Sequence, residues 1–257
     1  MHVEQASGVG SEVIVAGHSH IFAMGASQSY KGGVSLQSAA KFPDMLFLME
    51  EWRGNRTREY WDALLNYVPG RTVALVYNGN QHNAGFLFRS GPSFDFWDPS
   101  AVGELLPGAR VLPRSMVAEY FKPSLMHLDS IVAKLKESGA AGIVVLGTPP
   151  CKGDPNFIRE IVMGSRYFQD AAKKLGRDVS TVEINDSSVR VKLWRLLQQM
   201  MADIAQRAGA TFLPVPNFVL DPDGCLKREF WAHDVTHGNP KYGEVLLGHL
   251  RSALKLD

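Results

Sequence analysis

Five short apolar runs are spaced along the chain, and each is bounded by glycine or polar residues. Their apolar positions are consecutive instead of alternating, which is typical of parallel strands that are buried on both faces. The runs are Val13 to Gly17, Met45 to Met49, Thr72 to Gly79, Gly142 to Gly147 and Thr211 to Pro216. Together they predict a five-stranded parallel sheet.

Segments with helical periodicity separate these runs. The segments are 58–70, 124–142, 185–210 and 240–254. In the second segment, leucine, isoleucine and valine form one stripe, and Gly139 stands where a helix C-terminus is expected. In the third, Asp186 or Ser187 is a suitable N-cap, and Gly209 ends the pattern. This alternation of strands and helices predicts a doubly wound α/β fold with right-handed crossovers.

One segment, residues 85–123, breaks this alternation. It is rich in aromatic residues between Phe86 and Trp97, and a structureless loop of this length is uncommon in a compact domain unless it is functional. We expect either an insertion that extends the core or one wall of a pocket. No repeat, low-complexity tract or linker divides the sequence, so residues 1–257 are expected to form a single domain.

The bulk composition narrows the classes of function. The 257 residues include 27 lysines and arginines against 26 aspartates and glutamates, which gives a formal net charge of +1. This balance favours neither a nucleic-acid partner nor a membrane surface. The N-terminus lacks the apolar core of a signal peptide, and no apolar run approaches the ~18 residues of a membrane span. We therefore expect a cytoplasmic protein, while its oligomeric state is left open.

A serine nucleophile and its partners can be drawn from residues after the predicted strands, where ligands bind in open α/β sheets. Ser19 follows the first strand at a turn, and Asp234 and His237 are three residues apart near the C-terminus. In serine catalysis a histidine accepts the hydroxyl proton, a carboxylate orients the histidine, and N–H donors hold the oxyanion. The side-chain amide of Asn80 and the backbone N–H of Gly54 are candidate donors. These residue types indicate acyl transfer.

Four short sequence blocks occur in the order found in one enzyme superfamily. They are Gly17-His18-Ser19, the Gly54 block "WRGN", the Asn80 block "NGNQ" and the block "DVTH" from Asp234 to His237. The sequence thereby resembles the SGNH hydrolases, also called the GDSL-type esterase/lipase superfamily, over nearly the whole chain. Each block alone is a weak signal, but four blocks in order after matching strands make a stronger one.

The resemblance implies a three-layer α/β/α sandwich of flavodoxin-like type. It implies that Ser19 is the acyl-accepting nucleophile, that His237 is the general base and then the general acid, and that Asp234 orients His237. Gly54 and Asn80, together with the backbone N–H of Ser19, would form the oxyanion hole. No cofactor is implied.

The sequence departs from the superfamily pattern in the first and third blocks. His18 replaces the usual aspartate, Asn78 stands where glycine is usual, and Gln81 stands where aspartate is usual. Aligning Gly79 with the family glycine would instead place Gln81, and not Asn80, at the oxyanion hole. Four further residues of these blocks are candidate pocket residues: His18, His20, His82 and Asn83.

The same residues are open to other interpretations. The α/β-hydrolase elbow Gly-x-Ser-x-Gly is not met, because His20 occupies its last position. "GHSH" and "GNQH" are similar to metallophosphoesterase blocks, but "GHSH" comes first in this chain instead of last, so no metal is expected. Ser19 could also serve only as a helix N-cap, and Asp234 only as a cap.

Three hypotheses about function follow. The first is a serine-dependent acyl-ester hydrolase, an esterase or carbohydrate deacetylase acting through an acyl-enzyme on a small-molecule or saccharide ester. The second is an O-acyltransferase that uses the same Ser-His-Asp site with a sugar hydroxyl as acceptor. The third is a catalytically silent binding domain that retains the SGNH fold. Exclusion of water by the aromatic segment 86–97 would favour the transferase over the hydrolase.

Overall fold

The computed structural model describes residues 12–26, 33–39, 41–50, 58–99 and 105–256. Within these ranges the protein has a mixed α/β fold with a central, mostly parallel sheet. Its strands are β1 (Val13–Gly17), β2 (Val34–Ala39), β3 (Phe42–Glu50), β4 (Thr72–Val76), β5 (Phe94–Phe96), β6 (Arg110–Leu112), β7 (Gly142–Leu146) and β8 (Thr211–Leu213). Its helices are α1 (Arg58–Tyr67), α2 (Gln81–Ala84), α3 (Arg114–Leu125), α4 (Leu128–Glu137), α5 (Pro155–Gly164), α6 (Arg166–Lys174), α7 (Ser187–Arg207) and α8 (Pro240–Leu254).

The main sheet has the strand order β2-β3-β1-β4-β7-β8 over the described residues. All five predicted strands are present and run parallel to one another. The predicted count of five is corrected to six, because β2 pairs antiparallel with β3 at the edge of the sheet. The parallel strands, numbered along the chain, lie in the order 2-1-3-4-5, which is the order of flavodoxin-like folds.

Helices cover both faces of this sheet. Ile14 of β1 packs in the same core cluster as residues of α1, α3, α4 and α7. Its neighbours Val13 and Val15 point to the opposite face, where they pack in a cluster with residues of α8. Successive side chains of a strand alternate between faces. The consecutive apolar residues of β1 are therefore needed to fill two cores.

The segment 85–123 contains regular structure that its sequence pattern does not predict. It includes the two-stranded parallel pair β5–β6 and helix α3. Phe96 and Phe121 of this segment are fully buried in the core cluster that covers one face of the main sheet. A buried ion pair between Lys192 of α7 and Asp95, 2.7 Å apart, also fixes the segment to α7. The described part of the segment is thus an extension of the core.

The helix boundaries follow local sequence signals. Asp186 caps α7 by accepting a hydrogen bond from the Ser188 backbone N–H, and Asn239 caps α8 in the same way from Tyr242. Such caps satisfy backbone donors that the first helical turn leaves unpaired. None of the described helices is long and apolar enough to cross a membrane.

Candidate active site

The candidate site lies beyond the carboxyl ends of β1 and β4, which are neighbours in the sheet. After β1 the chain continues to β3, on one side of this pair of strands. After β4 it continues to β7, on the other side. Ligands of open α/β sheets bind at such a switch point. A cavity of about 540 Å³ opens there, lined by His18, Ser19, His20, Asn78, Asn80, Gln81, Ala84, Tyr167, Phe168, Thr236 and His237.

Three of the predicted residues form a continuous chain of hydrogen bonds at this cavity. The Oγ atom of Ser19 lies 2.8 Å from Nε2 of His237, although the two residues are 218 positions apart. The other ring nitrogen of His237, Nδ1, lies 2.8 Å from Oδ2 of Asp234. With the proton on Nδ1, Nε2 can accept the Ser19 hydroxyl proton. This geometry satisfies the requirement for a nucleophile, a base and an orienting group.

The carboxylate of Asp234 is held in its charged form. Burial alone would raise its pKa, but hydrogen bonding and charge interaction with the His237 ring lower it, and backbone N–H groups add to this. Its Oδ1 atom accepts from the backbone N–H groups of Thr236 at 2.7 Å and His237 at 2.6 Å. The net effect is a pKa well below the usual range, so Asp234 is an anion at neutral pH.

A close approach of β1 and β4 fixes the turn that carries Ser19. Gly17 has a φ of +139°, and a Cβ atom at this position would lie 1.9 Å from the carbonyl oxygen of Val76. The Gly17 N–H donates to the Tyr60 hydroxyl at 2.7 Å, and the next N–H, of His18, donates to Val76 at 2.9 Å. Only glycine fits both the conformation and the space. Ser19 then begins a short 3-10 helix, Ser19–Phe22.

His18 links the turn after β1 to the loop after β4. Its Nδ1 atom accepts a hydrogen bond from the backbone N–H of Asn78 at 3.1 Å. Its ring also packs edge-on against Trp61 and Tyr77, with centroids 5.7 and 5.3 Å away. The residue that departs most from the superfamily pattern therefore lines the cavity and also supports the neighbouring loop.

The loop after β4 presents Asn80 to the cavity and is fixed from several sides. Asn78, with a φ of +49°, donates its side-chain amide to the carbonyl of Ser124 at 2.6 Å. The carbonyl of Gly79 accepts from Thr148 at 3.1 Å, and its N–H donates to the side-chain oxygen of Gln81 at 3.0 Å. Asn80 and Gln81 both line the cavity, and the Gln81 side-chain oxygen is engaged within the loop.

Three further predicted pocket residues have different surroundings. His20 lines the cavity but is buried, and its ring packs 4.9 Å from that of His237. Burial, and then the nearby His237, lower the pKa of His20 well below its usual value. The prediction that His82 and Asn83 line the pocket is corrected, because α2 turns both side chains into the interior. The Asn83 amide instead donates to the carbonyl of Val235 at 3.3 Å.

His82 is enclosed without a well-formed hydrogen bond to either ring nitrogen among the described residues. Burial, together with the charge of Arg190, lowers its pKa to about 3. The Gly79 backbone has a smaller effect that raises the pKa. His82 is therefore neutral over the whole physiological range. Gly54, the second predicted oxyanion donor, lies outside the described residues.

Two structural features of the site were not predicted from the sequence. The first is the cavity wall formed by Tyr167 and Phe168 of α6, whereas the predicted wall from the aromatic segment 86–97 does not line this cavity. The second is Lys152, whose buried ammonium donates to the carbonyl of Ala232 at 2.7 Å and to that of Asp234. The only sequence signal for Lys152 was its position shortly after β7.

The described residues include no group of three or more histidine, cysteine, aspartate or glutamate side chains arranged to hold a metal ion. The side chains that meet at the site are those of a serine, a histidine and an aspartate, with amide groups in the cavity lining. These groups can perform nucleophilic and acid–base chemistry.

Comparison with known proteins places the fold. No protein-family model and no curated protein matches the chain. A Streptococcus pneumonia protein, provisionally described as a platelet activating factor, resembles it with a TM-score of 0.52 and 14% identity over 97% of this chain and 86% of that one. At this identity the likeness shows a shared fold.

Two other solved structures are more distant. An aryl esterase from M. smegmatis has a TM-score of 0.43 and 13% identity over 95% of this chain and 98% of that one. LAE5, an alpha/beta hydrolase enzyme from the metagenome of Lake Arreo, Spain, has a TM-score of 0.40 and 18% identity over 96% and 95%.

Proposed function

We propose that this chain is a serine-dependent ester hydrolase of the SGNH class, acting through an acyl-enzyme. The observation that carries the proposal is the pair of 2.8 Å contacts that join Ser19 to His237 and His237 to Asp234. Two such contacts in series support nucleophilic catalysis, because an unassisted serine hydroxyl is a weak nucleophile.

The proposed reaction begins when the Ser19 oxygen attacks the ester carbonyl carbon while His237 accepts the hydroxyl proton at Nε2. The Asp234 carboxylate stabilises the imidazolium that forms. The tetrahedral intermediate then collapses, and His237 passes its proton to the departing alcohol. Water attacks the resulting acyl-serine in the second half-reaction with His237 again as base, which releases the acid and restores Ser19.

The negative charge on the carbonyl oxygen needs donors during both half-reactions. We assign this role to the backbone N–H of Ser19 and the side-chain amide of Asn80, with Gly54 as the third member. The Asn80 side chain is suited to the role because the residue lines the same cavity as Ser19 and its loop is held by His18, Ser124 and Thr148.

The SGNH class also entails a three-layer flavodoxin-like arrangement and a single domain over residues 1–257. The parallel strand order 2-1-3-4-5 and the helices on both faces of the sheet support the proposed architecture. In this scheme the segment 85–123 is a core extension of the same domain.

Hydrolysis is favoured over acyl transfer to a sugar because the site is open to water. The side chains of His237 and Asp234 are 29% and 42% exposed. A transferase must shield its acyl-enzyme from water. The aromatic segment proposed for this purpose, residues 86–97, is absent from the cavity lining.

We further propose a saccharide ester as the substrate. Tyr167, whose side chain is largely exposed, and Phe168 line the cavity that contains Ser19. Aromatic faces at an open cleft can pack against the apolar face of a sugar ring. We propose a short acyl group such as acetyl on a sugar hydroxyl as the ester.

A fluorophosphonate probe tests the nucleophile directly. We expect one adduct, located at Ser19 by mass spectrometry, which is absent in Ser19→Ala and formed much more slowly in His237→Ala. The release of p-nitrophenol from p-nitrophenyl acetate, measured with and without an added sugar, then distinguishes a hydrolase from a transferase. Folded wild-type protein that takes up no probe would support the silent binding domain instead.

A further inference from the structure

Lys152 is a buried lysine beside the candidate catalytic residues. It follows β7, and its side chain is only 1% exposed. Enclosing a charged ammonium is unfavourable unless hydrogen bonds and opposite charge compensate for the lost water. Burial accordingly lowers the pKa of Lys152 to about 8, although the charge and hydrogen bond of Asp234 act in the opposite direction. The partners of this ammonium are therefore informative.

The hydrogen-bond acceptors of Lys152 lie on the segment that bears Asp234 and His237. Its Nζ atom donates to the carbonyl of Ala232 at 2.7 Å and to the carbonyl of Asp234. The same atom lies 3.6 Å from the side-chain oxygen Oδ1 of Asp234. Two aromatic rings also lie close to it, with centroids 5.5 Å away for Phe157 and 6.0 Å away for Trp231.

The segment 232–237 has no regular secondary structure that would fix its shape. It is closed at its ends by a hydrogen bond from the Ala232 N–H to the His237 carbonyl at 3.1 Å and by a bridge between Trp231 and Gly238. Between these ends, Lys152 reaches across from the loop after β7 and bonds to two carbonyls. A displacement of about 1 Å in a catalytic group can reduce a rate up to about 100-fold.

We propose that Lys152 is a positioning residue for the reaction, which fixes the segment bearing Asp234 and His237 and sets the charge beside the Asp234 carboxylate. The role rests on the proposed function, since it acts through His237 and not on the substrate. Lys152 is not among the residues that line the cavity, and its hydrogen bonds go to the carbonyls of Ala232 and Asp234.

The charge of Lys152 has a predictable electrostatic effect. At 3.6 Å from Oδ1 of Asp234, the ammonium attracts this carboxylate and so helps to hold the side chain that contacts His237. Asp234 is the nearest opposite charge. The other charged or titratable groups around Lys152 are Arg190, which donates to the Lys152 carbonyl at 3.1 Å, His233 against Phe157, and the Asp154–Arg228 ion pair.

The test measures the rate of fluorophosphonate labelling at Ser19 against pH in three variants. Lys152→Met keeps the length of the side chain without charge or donors, Lys152→Gln keeps a donor without charge, and Lys152→Arg keeps both. The matched control is Lys227→Met, because Lys227 also donates to a backbone carbonyl, that of Phe218 at 2.7 Å, but at the surface. Circular dichroism establishes that each variant is folded.

We expect Lys152→Met to be labelled up to about 100-fold more slowly at pH 7.5 than wild type. We also expect the acid limb of its profile, the pH range in which labelling falls on acidification, to move upward, because the Asp234 charge is no longer offset. In Lys152→Gln the acid limb should move in the same way as in Lys152→Met, and the loss of labelling rate should be smaller. Lys152→Arg should keep the wild-type limb and most of the rate, and Lys227→Met should match wild type throughout.

Each contrary result has a separate meaning. If folded Lys152→Met and Lys152→Gln match wild type in rate and acid limb, the positioning role is wrong. If all three variants lose rate equally with the limb unmoved, Lys152 is only a structural residue and the proposal is again overturned. If Lys152→Met does not fold, the rate of Lys152→Arg tests the role instead. If Lys152→Arg is labelled as slowly as His237→Ala, the positioning role is refuted. An unlabelled wild type would instead refute the proposed function itself.

Discussion

The Nδ1 atom of His18 accepts a hydrogen bond from the backbone N–H of Asn78, 60 residues along the chain, at a distance of 3.1 Å. This bond joins the turn that carries Ser19 to the loop that carries Asn80. It gives a physical use for a histidine where the SGNH pattern has aspartate, because a carboxylate oxygen could accept the same N–H. In this chain the ring nitrogen of His18 makes the connection.

Replacing His18 tests this connection. We expect His18→Phe to lower kcat for p-nitrophenyl acetate by up to about 100-fold, since the ring still packs against Trp61 but no longer accepts from Asn78. His18→Asn and His18→Asp each retain an acceptor oxygen and should retain most of the activity. Steady-state kinetics of the three variants provide the measurement. Equal kcat values for His18→Phe and wild type would show that the bond is dispensable.

Gly17 is the second position at which the turn is constrained. We expect Gly17→Ala to lower the free energy of unfolding by about 3 kcal/mol or more, because Cβ would overlap the Val76 carbonyl and the φ of +139° is strained for alanine. Urea titration measures the effect. Gly248→Ala, in the interior of α8 with nothing within 4 Å, is the matched control and should stabilise by about 0.5–1 kcal/mol. If Gly17→Ala lowers the free energy of unfolding by no more than the experimental error, the close approach of Gly17 to the Val76 carbonyl is contradicted.

How much of this fold could be predicted depended on burial. The five parallel strands were predictable because both of their faces are covered, which makes their sequences continuously apolar. Strand β2 was missed because it lies at an edge, is only partly buried and contains Ser35 and Gln37. Helix α3 was missed because Pro123 lies inside it and its apolar stripe is weak.

The residues of the candidate site also differ in how well the sequence predicts them. Ser19, Asp234 and His237 could be proposed from short motifs, because the residue types that such chemistry needs are few. The functions of His18 and Lys152 could not, since each depends on a contact with a segment 60 to 82 residues away. His82 and Asn83 were predicted to line the pocket, whereas α2 directs them into the interior and presents Gln81 and Ala84 to the cavity.

The charge of Asp234 predicts a pH dependence of stability. Its pKa in the folded protein lies below the usual value of 3.8, so the ionised carboxylate stabilises the fold above about pH 4 and this contribution is lost as the pH falls below it. We expect the difference in unfolding free energy between wild type and Asp234→Asn to be present at pH 6 and to shrink toward pH 3. Because the side chain is 42% exposed, the difference should not exceed about 1 kcal/mol.

Urea titrations at several pH values measure this difference. The control is Asp186→Asn at the N-cap of α7, where asparagine is as good a cap as aspartate and the change should be small. A difference for Asp234→Asn that grows toward low pH would mean that the carboxylate is not preferentially ionised in the folded protein.

His82 predicts a second pH dependence, in a higher window. The unfolded chain binds a proton at this residue below about pH 6.5, whereas the folded protein does so only near pH 3, so acidification between these values favours unfolding. We expect His82→Leu to flatten the dependence of the unfolding free energy on pH between 6 and 4 by up to about 1.4 kcal/mol per pH unit, measured by urea titration.

His82→Gln separates titration from polarity, because it should flatten the slope equally but destabilise at every pH through a buried, unpaired amide. Since His20, a second buried histidine among the described residues, also has a lowered pKa, part of the slope should persist in both variants. A slope as steep as that of wild type in both would mean that His82 becomes protonated without unfolding the chain.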